Sequence, residues 1–175
     1  MKIRPKQKLS VQDNQQERLD RNFQLSYDYL VGFVEGEGMF YIGIVPSRET
    51  KSGWQVIHFF KVSQNPIGVE VLKYFLTKFG CGYIKENSKK DSTDNSLAYV
   101  VRDFRSLRDV IIPFFEGKLI IKSDAFEKFK KVIGLMNEKN HLGLEGISKI
   151  LDIAYSMNTE KRKVLKELIL KSYSI

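Results

Sequence analysis

The chain has 175 residues and a mass of 20.3 kDa; 42% of its residues are hydrophobic and 29% are charged. This mixture excludes disordered, collagen-like and disulfide-scaffold proteins, and a single cysteine, Cys81, favours a reducing compartment. No apolar run approaches the ~20 residues needed to cross a bilayer, so no membrane partner is expected. The formal net charge of +8 favours a polyanionic partner, most commonly nucleic acid.

Residues 1–24 are polar and show little periodicity, with six basic residues against three acidic ones. They are interpreted as a basic, partly flexible N-terminal extension. Either it is a frayed terminus or it is an arm that lies on phosphates. Residues 25–175 are predicted to form a single domain with C-terminal helices.

The first predicted helix begins at Ser26 or Asp28, either of which can cap it, and ends at the glycines Gly36 and Gly38. The later predicted elements are strands 39–45 and 54–63, a helix from Asn65-Pro66 to Gly80, strands 82–87 and 97–102, a helix from Asp103 to about Pro113, a helix from Ser123 or Asp124, and helices 144–157 and 159–173. The strands come in hairpin pairs. We therefore predict an α+β fold (α-β-β-α-β-β-α plus C-terminal helices) in which an antiparallel four-stranded sheet has helices on one face.

The segment Leu30–Gly38, LVGFVEGEG, breaks several local rules at once. Gly32 and Gly36 share one helical face, where each glycine costs about 1 kcal/mol relative to alanine; close approach of a second helix is the usual reason. Glu35 and Glu37 stand at the C-terminal end of the helix, where its dipole disfavours carboxylates, and a bound Mg²⁺ would reverse that penalty. From the residues alone, a helix that merely ends in a turn with solvated carboxylates stays open.

The string LVGFVEGEG resembles the LAGLIDADG motif of intron-encoded homing endonucleases, with Glu in place of both usual Asp residues. Other resemblances follow in the family's order: a hairpin, the strand Phe60–Gln64 that ends in Ser-Gln, the glycine-bracketed segment Phe79–Ile84, and Pro113-Phe114-Phe115 followed by Lys122. Together they extend over about Ser26–Asn137. The resemblance implies a saddle-shaped sheet and a site-specific endonuclease that hydrolyses one phosphodiester per strand of double-stranded DNA at a long pseudo-palindromic target.

The resemblance also implies roles for individual residues. Glu37 corresponds to the metal-binding acid for Mg²⁺, with the Gly36 carbonyl alongside; Ca²⁺ or Mn²⁺ is expected to substitute in a crystal. Gln64 would position the attacking water and Lys122 would act electrostatically, although Gln64 as a helix cap and Lys122 as a solvated lysine stay open. A single motif implies a homodimer whose interface includes Leu30, Gly32, Phe33, Glu35 and Gly36.

Side-chain alternation along the strands, in the family's register, implies which residues face DNA. The set comprises Tyr41, Gly43, Val45, Gln55, Ile57, Phe59, Lys61, Lys85, Asn87, Val100 and Arg102, extended through the first hairpin loop by Ser47, Arg48 and Lys51. A slip of one residue would instead bury Ile57 and Phe59 and expose His58.

Two other functions suit the same fold. One is a group I intron maturase that binds intron RNA as a splicing cofactor, and the other is a DNA-binding regulator, in which loss of the acids is the expected mark. The retained acids favour the nuclease. Of the 29 basic residues 21 are Lys, which suits an A+T-rich organellar genome (chloroplast or mitochondrion); a bacterial or archaeal cytoplasm stays open.

Overall fold

The computed structural model describes residues 25–87, 93–157 and 166–173; the basic extension 1–24 lies outside them. The helices are α1 (Tyr27–Glu37), α2 (Val69–Phe79), α3 (Phe104–Ser106), α4 (Ile112–Phe115), α5 (Ser123–Asn137), α6 (Leu144–Met157) and α7 (Lys166–Ser172). The strands are β1 (Gly38–Pro46), β2 (Trp54–Gln64), β3 (Tyr83–Glu86) and β4 (Leu97–Val101). Within the described ranges, no helix has the length and apolar character to cross a membrane.

Helix α1 runs into strand β1 without a loop. The Ser26 hydroxyl caps the start of the helix by accepting a hydrogen bond from the Tyr29 amide at 3.1 Å, which decides between the two predicted caps. Gly38 is both the C-terminal cap of α1 and the first residue of β1. A Cβ atom at Gly38 would lie 2.5 Å from Cγ1 and 2.7 Å from the carbonyl oxygen of Val34, so only glycine allows this direct junction.

We expect Gly38→Ala to lower the free energy of unfolding by about 1–3 kcal/mol, because the added methyl group overpacks the α1–β1 junction. The matched control is Gly134→Ala in α5, where a Cβ atom would meet nothing within 4 Å. There alanine should stabilise the helix by up to about 1 kcal/mol. Urea unfolding of both variants measures the difference, and equal stabilities would contradict this account of the junction.

The sheet has the order β1-β2-β4-β3 and is antiparallel throughout. In the register, Phe60 of β2 lies between Phe40 of β1 and Val101 of β4, and all three side chains are buried. His58 alternates with these on the same side of the sheet, and its buried Nδ1 atom has no hydrogen-bond partner in the part of the chain that the structure describes. The predicted strand register is therefore correct, and the one-residue slip is excluded.

The helices cover one face of the sheet and enclose an aromatic core. The Phe40 ring lies at the centre of this core; its centroid is 5.2 to 5.7 Å from those of Phe60, Phe115, Phe126 and Phe129. Such tilted and edge-to-face contacts add to the stabilisation that burial of the rings provides. The predicted α+β fold, with a four-stranded antiparallel sheet, is confirmed.

The helix predicted to end near Pro113 continues to Phe115. Asp103 caps its start as predicted, accepting a hydrogen bond from the Ser106 amide at 2.8 Å. Between α3 and α4 the chain forms a π-helical segment, Leu107–Ile111, just before the proline. Proline removes an amide donor and crowds the preceding helical turn, and the wider π turn relieves that crowding. The additional helical residues place the fully buried side chain of Phe115 in the core.

Candidate active site

The C-terminal end of α1 carries an exposed carboxylate. Glu37 is exposed, as is the preceding Gly36, and no residue of the described ranges donates a hydrogen bond or forms an ion pair with the Glu37 side chain. The last carbonyl groups of a helix lack intrahelical partners and carry partial negative charge. This end of α1 therefore presents only oxygen ligands to solvent, which suits a hard divalent cation.

Glu35 has a different role, since its carboxylate binds three consecutive backbone amides of the same chain. Oε1 accepts from the amides of Ile120 and, at 3.2 Å, of Ile121, while Oε2 accepts from the Lys122 amide at 2.9 Å. Burial raises the pKa of Glu35, but these three hydrogen bonds and the positive charge of Lys122 outweigh it and lower the pKa. Glu35, which was predicted at the dimer interface, ties the end of α1 to the segment that carries Lys122.

Gln64 lies at the end of β2, near the same end of α1. Gly38, which directly follows Glu37, pairs with Val62, two residues before Gln64. The Gln64 side chain accepts a hydrogen bond from the Asn65 amide at 2.7 Å. The cap of the following 3-10 turn (Pro66–Gly68) is Asn65, whose side chain accepts from the Gly68 amide at 3.1 Å. The fold thus brings the ends of α1 and β2 and the Lys122 segment to one place.

One face of α1 has glycines that the protomer itself does not require. Gly32 and Gly36 are exposed, and a Cβ atom at either would meet nothing within 4 Å. Tyr29 is 42% exposed beside them, and its ring stacks on the half-buried Phe33 with centroids 6.0 Å apart. Leu30 is on the opposite side, fully buried in the core of this chain, so its assignment to an intermolecular interface is wrong. Its burial follows from the helical period, which pairs it with Val34.

The sheet face opposite the helices carries the residues predicted to face DNA. Alternation in the observed register puts Tyr41, Val45, Gln55, Ile57, Phe59, Lys61, Lys85, Asn87 and Arg102 on this side, and Ser47, Arg48 and Lys51 lie in or beside the first hairpin loop. Two predicted members do not reach the surface. Gly43 is buried and has no side chain, and Val100 is 1% exposed because it lies between the longer Lys61 and Tyr83 in the register.

A hydrogen-bond network crosses this open face. Lys61 donates to the Asn87 side-chain oxygen at 3.0 Å, and the hydroxyl of Ser63 lies 3.4 Å from the same oxygen. The Asn87 amide nitrogen is 3.5 Å from an Asp94 oxygen. Burial and the neighbouring positive charge of Lys85 lower the pKa of Lys61. Both ends of the Asn87 amide are thus engaged, so Asn87 orients Lys61 on the open face.

Comparison with known proteins identifies the family. A profile described as LAGLIDADG endonuclease matches residues 30–133, more than half of the 175-residue chain. The match begins at Leu30, the first residue of the LVGFVEGEG string, and includes Gln64 and Lys122. The chain belongs to the LAGLIDADG endonuclease family. Its motif helix is α1, and Glu37 is the second acid of the motif.

The relatives of this chain vary in length. A Neurospora crassa protein named "Probable intron-encoded endonuclease 2" is 32% identical over 146 residues, which are 82% of this chain and 31% of that protein. The chain thus spans about a third of this curated relative. The homing endonuclease I-TnaI has a TM-score of 0.72 and 33% identity, covering 87% of this chain and 98% of that one. The meganuclease I-SmaMI bound to uncleaveable DNA has a TM-score of 0.72 and 31% identity, covering 79% and 47%.

Several exposed apolar side chains near the LAGLIDADG helix were not predicted. Ile120 and Ile121 are 87% and 80% exposed, and their amides are the ones held by Glu35. Met39 and Tyr83 are 43% and 44% exposed and share the open sheet face. Met39 and Tyr83 lie two residues before Tyr41 and Lys85 and so point to the same side of the sheet. Applying the same alternation to the start of each strand would have found them.

Proposed function

We propose that the protein is a site-specific endonuclease of double-stranded DNA that acts as a homodimer with Mg²⁺ and hydrolyses one phosphodiester in each strand. The observation that carries the proposal is the exposed carboxylate of Glu37 at the end of the LAGLIDADG helix, which has no partner among the described residues. The Lys122 segment is tied to that helix end, and Gln64 lies nearby at the end of β2. An open sheet face with cationic and amide side chains adjoins the same place.

A second copy of the chain is the partner that best accounts for the exposed glycines of α1. Gly32 and Gly36 let a second helix backbone approach closely, and a two-fold axis would set the same face of each helix against the other. The lengths of the structural relatives support this assignment, because the chain covers 98% of I-TnaI but only 47% of I-SmaMI. The chain thus matches nearly all of I-TnaI and about half of I-SmaMI, the relation expected if two copies of this chain take the place of one longer chain.

The oxygen groups at the end of α1 fit Mg²⁺. Within the described ranges no group of three or more His, Cys, Asp and Glu side chains could hold a metal ion. Mg²⁺ typically takes one or two carboxylates and completes its coordination with water and substrate phosphates. We assign Glu37 of each copy and the Gly36 carbonyl as its ligands. Bound there, the ion supplies Lewis-acid stabilisation of the charge that develops on the phosphate.

Other side chains of this protein have the remaining roles in the proposed reaction. The Gln64 amide orients the attacking water, whose oxygen forms a bond to phosphorus while the bond to the leaving ester oxygen breaks; the water releases a proton to solvent and the leaving oxygen takes one from solvent. Lys122 places positive charge beside the developing negative charge on the phosphate, and Glu35 holds the backbone of Lys122 in position. The exposed Arg48, Lys51 and Gln55 extend the contact with DNA along the first hairpin. A two-stranded β-ribbon of this kind fits the major groove.

The test of the proposal is cleavage of a randomised duplex library by the full chain, with Mg²⁺ and with a chelator in its place. We expect Mg²⁺-dependent double-strand cuts at one long, near-palindromic site. Absence of cleavage with any duplex, together with tight binding of group I intron RNA, would instead favour the maturase function. The genetic setting that we propose is an intron of an organellar genome, supported by the lysine-rich composition and by the intron-encoded relative.

The Gly32→Leu substitution tests the proposed dimer. Gly32 is exposed and a Cβ atom there meets no described residue within 4 Å, so a leucine side chain can extend into solvent in the free protomer, but it blocks close approach of a second α1 helix. We expect the dimer dissociation constant to rise roughly 10- to 100-fold, with cleavage lost at concentrations where the natural chain is dimeric. Sedimentation velocity measures the mass against 20.3 kDa for one chain. Gly134→Leu is the control, and an unchanged dimer in Gly32→Leu would contradict the proposed interface.

A further inference from the structure

Three side chains form a stacked row across the open sheet face. Tyr41 of β1 and Phe59 of β2 are partners in the register, and their rings are stacked with centroids 4.5 Å apart and an interplanar angle of 16°. On the other side of β2, the guanidinium carbon of Arg102 lies 5.3 Å from the centroid of the Phe59 ring. Arg102 directly follows Val101, which pairs with Phe60, so the three residues occupy one line across the sheet.

The stacking holds the guanidinium without using its hydrogen-bond donors. Arg102 is exposed, and none of the described residues accepts a hydrogen bond from it or forms an ion pair with it. This differs from Lys61 on the same face, whose ammonium group donates to Asn87. An arginine side chain loses rotamer entropy when it is fixed, and prior contact with an aromatic ring reduces the loss on binding. The donor edge of Arg102 is thus positioned and available.

We propose that Arg102 reads a guanine in the major groove of the target and that Phe59 and Tyr41 are its positioning residues. The inference rests on the proposed DNA-binding function. Guanine presents two acceptors, O6 and N7, which match two parallel N–H groups of a guanidinium. In a two-fold symmetric dimer the same contact occurs once in each half-site, so the target should carry guanines at a symmetric pair of positions.

Two other uses of the row agree less well with its geometry. Rings 4.5 Å apart and nearly parallel already occupy each other's faces, so no base can enter between Tyr41 and Phe59 as it would on a single-strand stacking platform. Arginine also makes one or two hydrogen bonds to phosphate, but such a contact carries no sequence information and does not account for a guanidinium that lies over a ring beside an inner strand of the sheet. The stacked arrangement instead favours a directional, bidentate contact with a base edge.

The experiment is a selection of bound duplexes from a randomised library in Mg²⁺-free buffer, which keeps bound DNA intact. The natural chain should select guanine at one symmetric pair of positions. Arg102→Ala should reduce discrimination at those positions roughly 5- to 150-fold and leave the preferences elsewhere in the target unchanged. Phe59→Leu keeps an apolar side chain but removes the ring face, and it should reduce the same discrimination roughly 2- to 5-fold. Arg105→Ala, which changes an exposed arginine of α3, is the matched control.

The outcomes separate this inference from the proposed function. If Arg102→Ala weakens binding equally for all sequences, Arg102 contacts phosphate and the inference is overturned. If Phe59→Leu keeps full guanine discrimination while thermal melting shows that it is folded, the positioning role of Phe59 is overturned. If the natural chain selects a target and that target has no guanine affected by Arg102→Ala, only this inference fails. If the natural chain selects no duplex at all, the proposed DNA-binding function fails with it.

Discussion

Glu37→Gln should bind its duplex target normally and cleave it at least about 10³-fold more slowly than the natural chain. The amide has nearly the same size as the carboxylate but lacks the charge that ligates a cation. Glu37 is exposed and has no partner in the described part of the chain, so the fold does not depend on its charge. Single-turnover cleavage under saturating protein measures the rate, and a gel-shift titration measures the affinity.

The control for this variant is Asp28→Asn, an isosteric change at the exposed other end of the same helix. It removes one negative charge from α1, as Glu37→Gln does, and should cleave at close to the natural rate. Cleavage by Glu37→Gln within tenfold of the natural rate would remove Glu37 from the proposed mechanism. If Glu37→Gln cleaves slowly and Asp28→Asn cleaves at close to the natural rate, the loss of activity depends on where along α1 the negative charge is removed.

Glu35→Gln should reduce the cleavage rate by roughly 10- to 100-fold without weakening DNA binding. A glutamine oxygen in the place of Oε1 can still accept from the amides of Ile120 and Ile121, but the NH₂ group then faces the Lys122 amide, which is also a donor. The segment loses its anchor, and Lys122 leaves its place beside the phosphate. The free energy of unfolding should fall by only about 1 kcal/mol, since the hydrogen bonds are exposed to solvent. Glu145→Gln, which breaks an exposed ion pair in α6, is the matched control.

A double-mutant cycle distinguishes positioning from general destabilisation. If Glu35 acts through Lys122, then Lys122→Ala should slow cleavage much less in the Glu35→Gln background than in the natural chain. Independent, additive effects of the two substitutions would contradict the positioning role.

The pH dependence of stability provides a second readout of Glu35. Burial raises its pKa, but the three backbone hydrogen bonds and Lys122 bring it below the ordinary value of 4.5. A carboxyl group with a lowered pKa in the folded state stabilises the protein above its unfolded pKa and loses that contribution as the pH falls through the folded pKa. The difference in unfolding free energy between the natural chain and Glu35→Gln should be constant from about pH 6 to 8 and shrink below about pH 4.5.

Local sequence patterns predicted most of the elements correctly. The direct helix-to-strand junction follows from glycine at position 38, and the helix 144–157 was predicted with the bounds that the structure has. Period-two alternation in β2 separated Phe60 and Val62, on the core side, from Phe59 and Lys61 on the open side. These features depend on residues close together in the chain, and helical and strand periods record them directly.

The errors concern burial, which depends on what surrounds a residue in space. Alternation placed Gly43 and Val100 on the open face correctly, but it carries no information about the longer side chains beside them that cover them. Leu30 shares the motif with exposed glycines and is nonetheless buried, because the motif helix has an inner side as well as a free one. The helix through Pro113 needed a π-helical segment that no propensity indicates.

The sequence by itself determined the α+β order of elements, the register of the sheet and the end of the helix where Glu37 stands. Only the tertiary structure decided what Glu35 does, because its hydrogen bonds to residues 120–122 join positions more than eighty residues apart. The stacked row likewise joins residues from separate parts of the chain: Tyr41 of β1, Phe59 of β2 and Arg102 directly after β4. No single strand contains it. Local periods specify which way a side chain points, whereas the partner that it meets is set by long-range packing.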